Sequence, residues 1–285
     1  MLAVLWRLVR DAAYAFIEDE ALTRGAAIAF YTVTSLGPVL FIVVAVGGLA
    51  FGEEVARGAV TAQLTGLVGR ESADLVQAAL QGASRAPESV LASVVGAVTL
   101  LLTASGVFAE MQAALNALWR APSRATTVSR LVRARIVSLG LVAALGFLLL
   151  VSLVVSALLA GLGEWINARL PWGTLVLAGV NFVVSYVLVT LLFAAIYKVL
   201  PDVRLAWRDV AVGAVLTALL FNAGKFLIAL YLARSAAASS YGAAGAVILL
   251  LLWIYWSAQI FLFGAELTKV YAAWRGTRAG RQALA

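Results

Sequence analysis

The sequence contains no cysteine and no histidine among its 285 residues. The lack of cysteine excludes disulfide bonds and thiolate chemistry. Without either residue type, the commonest ligands of zinc and other transition metals are missing. We therefore expect no metal and no cofactor. Charged residues are also scarce, at 12% against about 25% in an average soluble domain.

Apolar residues take the place of the missing charge. They form 64% of the chain, and the mean hydropathy is +1.00, which predicts an integral membrane protein. A net charge of +7 has the sign that nucleic-acid-binding proteins carry, but the basic residues lie between apolar runs rather than on one soluble face. We expect membrane lipids as partners and no nucleic acid.

Six apolar segments are long enough to cross a bilayer core of about 30 Å, which needs about 20 helical residues. The sequence therefore predicts an all-α membrane protein with a six-helix transmembrane domain over 25–272. The predicted spans are 25–51, 89–117, 136–162, 172–198, 209–233 and 242–268. In the loop 53–87, apolar residues recur at helical intervals and predict two short amphipathic helices outside the membrane.

The basic residues predict the orientation. If both termini are cytoplasmic, 15 of the 21 Lys and Arg residues lie on the cytoplasmic side, including those of a basic tail at 273–285. Residues 1–24 predict a cytoplasmic amphipathic helix in the membrane interface, since charges interrupt any signal-peptide core. Its polar side comprises Arg7, Arg10, Asp11, Tyr14 and Glu18, and its apolar side comprises Leu2, Leu5, Val9, Ala13 and Phe16.

Small and polar residues form stripes along the predicted spans. The second span carries Gly96, Thr99, Thr103, Gly106, Glu110 and Ala113, and the fifth carries Ala211, Ala214, Ala218, Asn222, Lys225 and Ala229. Small residues at such spacing are typical of helix packing in membranes. The other interpretation is a water-accessible cavity, which depends on the ionisable residues.

Lys225 is the strongest of these, because it lies about 13 Å below Arg234 along the helix, farther than a lysine readily snorkels. We expect it to face the bundle interior, with Asn181, Glu164 or an anionic ligand as partner. Glu110 and Glu266 lie nearer the cytoplasmic ends, where interfacial anchoring is an equal alternative. The candidate cavity residues are Lys225, Asn222, Asn181, Tyr31, Ser35, Tyr255, Gln259, Glu266 and Glu110.

Pro38 interrupts the first span and predicts a kink, since it cannot donate to the carbonyl of Thr34. The hydroxyls of Thr34 and Ser35 lie where such a bend needs polar groups. Counted from the predicted cytoplasmic ends, Ser35 and Gln259 lie at a similar depth. No nucleophile with a base and no glycine-rich phosphate loop is present, so we expect no catalytic residues and no enzyme.

Four blocks of sequence resemble the YihY/virulence factor BrkB family. They are GAAIAFYTVTSLGPVLF at 25–41, MQAALNALW at 111–119, LPDVRLAWRDVAVGA at 200–214 and YGAAGAVILLLLWIYWSAQIFLFGAEL at 241–267. The resemblance implies six transmembrane helices, the bacterial inner membrane and a link to envelope integrity, without a settled activity. The ribonuclease BN label of some relatives lacks support here, since no metal site or RNA cleft can be assembled. The family-motif positions are Tyr31, Ser35, Pro38, Asn116, Tyr241, Gln259 and Glu266.

Two functions follow as alternatives. The first is a transporter or flippase-like protein that handles an amphipathic, anionic or lipid-like envelope molecule in a polar cavity. The second is a scaffold or assembly factor for the envelope, in which the polar stripes are packed helix contacts. The substrate and the oligomeric state are not determined by the sequence.

Overall fold

The computed structural model describes residues 2–68, 77–78, 106–121, 140, 173–234, 237–277, 279–280 and 283. The described part is helical and contains no strand, as the composition predicted. Seven helices are defined there: α1 (Leu2–Glu18), α2 (Ala21–Phe51), α3 (Glu53–Val68), α4 (106–118), α5 (Gly173–Val199), α6 (Trp207–Arg234) and α7 (Ala237–Trp274).

Four of the described helices are long and apolar enough to cross a membrane. The segments are Ala21–Leu49, Leu177–Val199, Trp207–Ile228 and Val247–Trp274. They correspond to the first, fourth, fifth and sixth predicted spans. Of the predicted spans 89–117 and 136–162, only 106–117 and residue 140 lie within the described residues.

Helices α6 and α7 pack antiparallel through paired glycines and threonines. A Cβ atom added to Gly213 would lie 1.7 Å from Oγ1 of Thr268, and one added to Gly264 would lie 1.9 Å from Oγ1 of Thr217. Farther along, Gly224 faces Ile260 in the same way. Only glycine permits so close an approach of the two backbones.

Helix α5 joins this pair through aromatic side chains. The hydroxyl of Tyr197 donates to the carbonyl of Phe261 at 2.6 Å and lies 3.1 Å from Oγ1 of Thr217. The Phe193 ring meets that of Phe221 edge-on, with centroids 5.7 Å apart. A single buried tyrosine thereby links three helices, and its polar tip is satisfied, as burial requires.

Helix α2 packs on α7 as well, and the start of α2 lies beside the C-terminal half of α7. Gly25 of α2 faces the side chain of Gln259. Helix α7 has 38 residues, so it is about 57 Å long and exceeds the bilayer core. Its end therefore extends past the start of α2, where it packs against α1.

The packed face of α1 differs from the predicted one. Ala12 is fully buried against Leu267 and Val270, with Leu8 beside it, and the Phe16 ring lies 5.7 Å from that of Phe263. Two residues of the predicted apolar side, Val9 and Ala13, are exposed. The five residues of the predicted polar side are not buried either. The contact with α7 is made by one edge of the apolar side, at Leu8, Ala12 and Phe16, because a single neighbouring helix covers only part of a helix surface.

Two helix boundaries differ from the bounds of the predicted segments. The segment 1–24 contains all of α1 and the first turn of α2, separated at Glu20, whose φ of 55° is left-handed. The predicted last span, 242–268, is part of a helix that begins at Ala237 and ends at Trp274. At the C-terminal end of α7, burial of Thr268 and Lys269 against neighbouring helices allows these polar residues to continue the helix.

The loop 53–87 begins with the helix α3; that this helix is amphipathic and lies outside the membrane stays a prediction. Gly52, with a φ of 92°, ends α2, and α3 follows at once and packs against α2. Ala56, Ala59 and Val60 of α3 belong to the main core. Of the second predicted loop helix, only residues 77–78 lie within the described part, where they are helical.

Candidate functional site

A cluster of charges lies where the turn between α1 and α2 meets α7. The Nζ atom of Lys269 donates to Oδ2 of Asp19 and lies 2.6 Å from Oε2 of Glu266. Glu266 and Lys269 are three residues apart, so α7 presents both on one face. The left-handed Glu20 redirects the chain after Asp19. We call Asp19, Glu266 and Lys269 the charge cluster.

The charge cluster is almost fully enclosed. Glu266 is 0% exposed and Lys269 is 2% exposed, while the side chain of Asp19 retains 16%. Although Lys269 is in ion-pair contact with Glu266, neither carboxylate oxygen of Glu266 accepts a hydrogen bond from a described residue. Two carboxylates thus share one ammonium group.

Gln259 lies two helical turns before Glu266 on the same face of α7. Its Nε2 atom donates to the carbonyl of Leu22 at 3.3 Å. Its Oε1 atom is buried and accepts no hydrogen bond from the described residues. The α2-facing side of α7 therefore carries buried acceptors that lack donors at both Gln259 and Glu266.

Ser35 does not lie at the level of Gln259, which corrects the depth predicted for the pair. Gln259 contacts Leu22 and Gly25, and Ser35 lies ten residues beyond Gly25, about 15 Å along α2. The prediction counted residues from the cytoplasmic ends of the two helices and assumed that both ends lie at the same depth. Helix α7 in fact continues past the start of α2 to pack with α1.

Tyr31 and Ser35 instead meet α4. A Cβ atom added to Gly106 would lie 3.5 Å from Cδ1 of Tyr31 and 3.8 Å from Oγ of Ser35. Ser35 is buried and Tyr31 is 42% exposed. Glycine on the second-span stripe therefore faces the first span, whereas Ala113 on the same predicted stripe is exposed.

Helix α2 runs through Pro38 without ending, to Phe51. The hydroxyl of Thr34 donates to the carbonyls of Phe30 and Tyr31, at 3.1 and 3.0 Å. These are carbonyls of the preceding turn, whereas the acceptor that Pro38 frees is the carbonyl of Thr34 itself. The predicted kink stays a prediction.

Lys225 is half-buried on α6, and its Nζ atom lies 5.6 Å from the centroid of the Phe221 ring. No carboxylate in the described ranges forms an ion pair with it. Asn222 donates to the carbonyl of Ala218 on its own helix at 2.8 Å. Asn181 is exposed, and Glu164 lies outside the described residues.

The remaining predicted positions lie apart from the charge cluster. Tyr255 packs partly buried against the main core, and Glu110 is partly buried on α4. Asn116 and Asp202 form two hydrogen bonds, from Nδ2 to Oδ2 at 2.9 Å and from the Asp202 N–H to Oδ1 at 2.8 Å. The side chain of Tyr241 is outside the described part of the chain.

Sequence reasoning missed the residues that hold α6 to α7. Ala214 and Ala218 of the predicted stripe are buried, but Ala211 is exposed. The closest contacts come from Gly213, Thr217 and Gly224, whose spacings of four and seven residues place them on one helix face. That spacing was the signal in the sequence that could have identified these contact residues.

Sequence reasoning also missed the partners of Glu266. Lys269 was counted as a cytoplasmic basic residue, although its position three residues after Glu266 was a signal for an ion pair. A second buried carboxylate, Asp209, binds Arg275 at 2.7 Å between Oδ1 and Nη1. Among the described residues, no group of three or more His, Cys, Asp or Glu side chains could hold a metal ion.

Comparison with known families identifies the chain. The model of the family described as Virulence factor BrkB matches residues 12–284. The chain belongs to the virulence factor BrkB family. The family match includes every described helix from the middle of α1 onward, and with it the charge cluster and Gln259.

Several curated BrkB-family relatives are similar to the chain. It is 33% identical over 186 residues to the UPF0761 membrane protein YihY of Escherichia fergusonii, and 33% identical over 183 residues to that of Salmonella typhimurium. A UPF0761 membrane protein of Yersinia pestis is 32% identical over 189 residues. The first two alignments cover 64% of this chain and 60% of the relative, and the third covers 65% and 61%. No solved structure matches.

Proposed function

We propose that this BrkB-family membrane protein binds and moves an amphipathic envelope molecule, in the manner of a transporter or flippase, at a polar cavity between α2, α4, α6 and α7. The observation that carries the proposal is the Oε1 atom of Gln259, a buried acceptor on the α2-facing side of α7 that lacks a hydrogen-bond donor among the described residues; two turns away, Glu266 shares its one cation with Asp19. Hydrocarbon offers no donor, so such groups call for water or a ligand. The proposal includes no catalytic step.

The two sides of the proposed cavity suit different parts of a head group. Gln259 and Glu266 would accept hydrogen bonds from hydroxyl or ammonium groups. Lys225 of α6 lies near the level of Gln259 along the bundle, since Gly224 beside it packs against Trp256 and Ile260, but α6 and α2 pack on opposite sides of α7, so Lys225 would contact a different part of the molecule. Its ammonium group would attract a phosphate or carboxylate. A phospholipid head group combines both kinds of chemistry.

The proposed location is the bacterial inner membrane with both termini in the cytoplasm. Two observations support the placement of both ends of the chain on the same side of the membrane, at the interface. The start of α2 and the end of α7 meet at one end of the bundle, through Asp19 and Lys269. On α1, the exposed apolar residues Trp6 and Ile17 lie beside exposed Arg7 and Arg10, an arrangement that suits a helix in the interface.

Lipid movement in vesicles tests the transport proposal. The full-length protein is reconstituted with fluorescent phosphatidylglycerol or phosphatidylethanolamine, and an impermeant reductant measures how fast the inner-leaflet probe reaches the outer leaflet. We expect faster movement than in protein-free vesicles and at least partial loss with Lys225→Met and with Gln259→Leu. Arg57→Met, which removes a cation that pairs with Glu53 on α3, is the matched control and should retain the rate. Rates equal to those of empty vesicles for both probes would contradict the proposal.

A scaffold without a translocated substrate is the second candidate. The tight Gly213–Thr268 and Gly264–Thr217 contacts favour it, because they leave no space between α6 and α7. Cysteines introduced singly over 222–229 and 255–266 separate the candidates, and the chain has no native cysteine to add background. Labelling by a water-soluble maleimide on the α2-facing positions supports a cavity. A seam without labelled positions supports the scaffold.

A further inference from the structure

We propose that Glu266 is a proton-binding site. When Glu266 is protonated, Lys269 forms an ion pair with Asp19 alone, and this pair holds the α1–α2 turn against α7. The charge cluster carries this inference. Its three members come from two separate parts of the chain and are enclosed together.

The charge cluster has one more carboxylate than it has cations, so one added proton would balance it. With all three groups ionised, two carboxylates face one ammonium group, which leaves a net charge of −1 in a nearly closed site. An uncompensated buried charge is costly. One proton removes it and leaves a neutral carboxyl beside a one-to-one pair of Lys269 and Asp19.

The proton belongs on Glu266 rather than on Asp19. Glu266 is 0% exposed, and neither of its oxygens accepts a hydrogen bond from the described residues. Asp19 accepts the hydrogen bond of Lys269 and keeps 16% of its side chain exposed. Burial disfavours the charged form of a carboxyl, and a directed hydrogen bond from a cation favours it.

The other described ionisable groups on the surrounding helices have partners of their own or are exposed. Arg24 of α2 donates from Nε to the backbone carbonyl of Asp19 at 3.1 Å. On α6, Asp209 binds Arg275, and on α5 Lys198 donates to the carbonyl of Leu205. Exposed groups are Arg7, Tyr14, Glu18, Glu20, Tyr31 and Arg208, and Arg10 and Asp11 pair on the surface of α1. Tyr197 donates to Phe261, Tyr255 packs against the main core, Tyr271 contacts Arg275, and half-buried Lys225 lies over the Phe221 ring.

The structural consequence is a pH-dependent contact between the α1–α2 turn and α7 through Asp19 and Lys269, which we call the clasp. When Glu266 is neutral, Lys269 and Asp19 bind as a balanced pair and α1 is held against α7. When Glu266 is ionised, it competes with Asp19 for the same ammonium group and weakens the attachment of the turn. A role for the clasp in controlling access to Gln259, two turns deeper, rests on the proposed function. The proton site itself does not depend on that function.

Infrared pH-difference spectra of the purified full-length protein test the proton site. A protonated buried carboxyl gives a C=O stretching band clear of the amide bands, and we expect one that disappears as the pH rises. Glu266→Gln should remove the band, and Glu266→Asp should shift it. Asp209→Asn, which alters a buried carboxylate with its own cation, should leave it in place. Identical spectra for the protein and Glu266→Gln overturn the inference.

Thiol labelling tests the clasp separately. A cysteine at Leu8 lies in the contact between α1 and α7, whereas a cysteine at Ala13 lies on the exposed side of the same helix. The ratio of their maleimide labelling rates removes the pH dependence common to both thiols, and the same pair in Glu266→Gln corrects for the higher pKa of the more buried thiol. We expect the ratio to rise with pH in the otherwise unchanged protein and to stay low with Glu266→Gln. A ratio independent of pH overturns the clasp, whatever the vesicle assay gives.

Discussion

At the scale of single residues, two glycine–threonine pairs determine how closely α6 and α7 approach. Thr217 donates to the carbonyl of Gly213, and Thr268 donates to that of Gly264, each four residues back on its own helix at 2.7 Å. Each threonine then packs against the glycine of the other helix. The hydroxyls are satisfied locally, so close packing of the backbones leaves no unpaired polar group there.

Gly213→Ala should destabilise the protein by about 1–3 kcal/mol, because overpacking forces the helices apart. The added Cβ atom would lie 1.7 Å from Oγ1 and 2.8 Å from Cβ of Thr268. Thermal unfolding in detergent measures the change. The matched control is Gly179→Ala on α5, where the added atom meets nothing within 4 Å. Equal stability of the two variants would mean that the α6–α7 seam is looser than the structure has it.

Lys269→Met should destabilise the protein by about 3–5 kcal/mol at a pH at which Glu266 is ionised, since it leaves two carboxylates without their shared cation. Adding Glu266→Gln to this variant should recover part of the loss, because it removes one of the buried charges. Chemical unfolding of the single and double variants measures both steps. A double variant no more stable than the single one would argue against repulsion between Asp19 and Glu266.

At the scale of helices, polar connections near the helix ends add to the contacts of the apolar core. The end of α7 is bound to α6 through Asp209 and Arg275 and to the α1–α2 turn through Asp19 and Lys269. The end of α4 is bound to the loop before α6 by Asn116. Helix positions are thus fixed by charged and amide groups where the helices leave the apolar region.

Asn116→Ala should free the end of α4 from the loop at Asp202. It removes both hydrogen bonds at a cost of about 0.5–1.5 kcal/mol, since Asp202 is exposed and water can replace the amide donor. The control is Asn222→Ala, whose described hydrogen bond goes only to its own helix. Hydrogen exchange of the loop, measured by mass spectrometry, should rise in Asn116→Ala alone. Equal exchange in both variants would contradict a role for Asn116 in holding the loop.

At the scale of the whole molecule, helices meet on both sides of α7. Helices α5 and α6 pack on one side through aromatic rings and glycines, and α2 packs on the other through Gly25 and Gln259. The α6 side is closely packed, whereas the α2 side holds the unsatisfied acceptors. This difference favours the α2 side as the place where water or a ligand enters.

Reporter fusions test the proposed orientation of the whole chain. A fluorescent protein that matures only in the cytoplasm should fluoresce when fused to either terminus. Alkaline phosphatase, which is active only outside the cytoplasm, should be active when inserted in the loop 53–87. Phosphatase activity at a terminus would reverse the proposed topology.

Much of the fold could be predicted from the sequence, and less of the site. The described spans follow from length and apolar composition, because the bilayer imposes both. Gln259 and Glu266 could be selected as polar residues in an apolar helix. Their neighbours could not, since Asp19 and Lys269 are 250 residues apart and each alone resembles an ordinary charge at a membrane surface.

The sequence by itself determined the membrane class, the family and the described spans, because these depend on local composition and on motifs along one chain. Only the tertiary structure decided that α7 extends beyond α2 to contact α1, and that Glu266 shares a cation with Asp19. The overlap of two helices depends on how their side chains interlock, which spacing within one helix does not specify. For the same reason Gln259 faces Gly25 rather than Ser35, although counting residues from the predicted ends placed it beside Ser35.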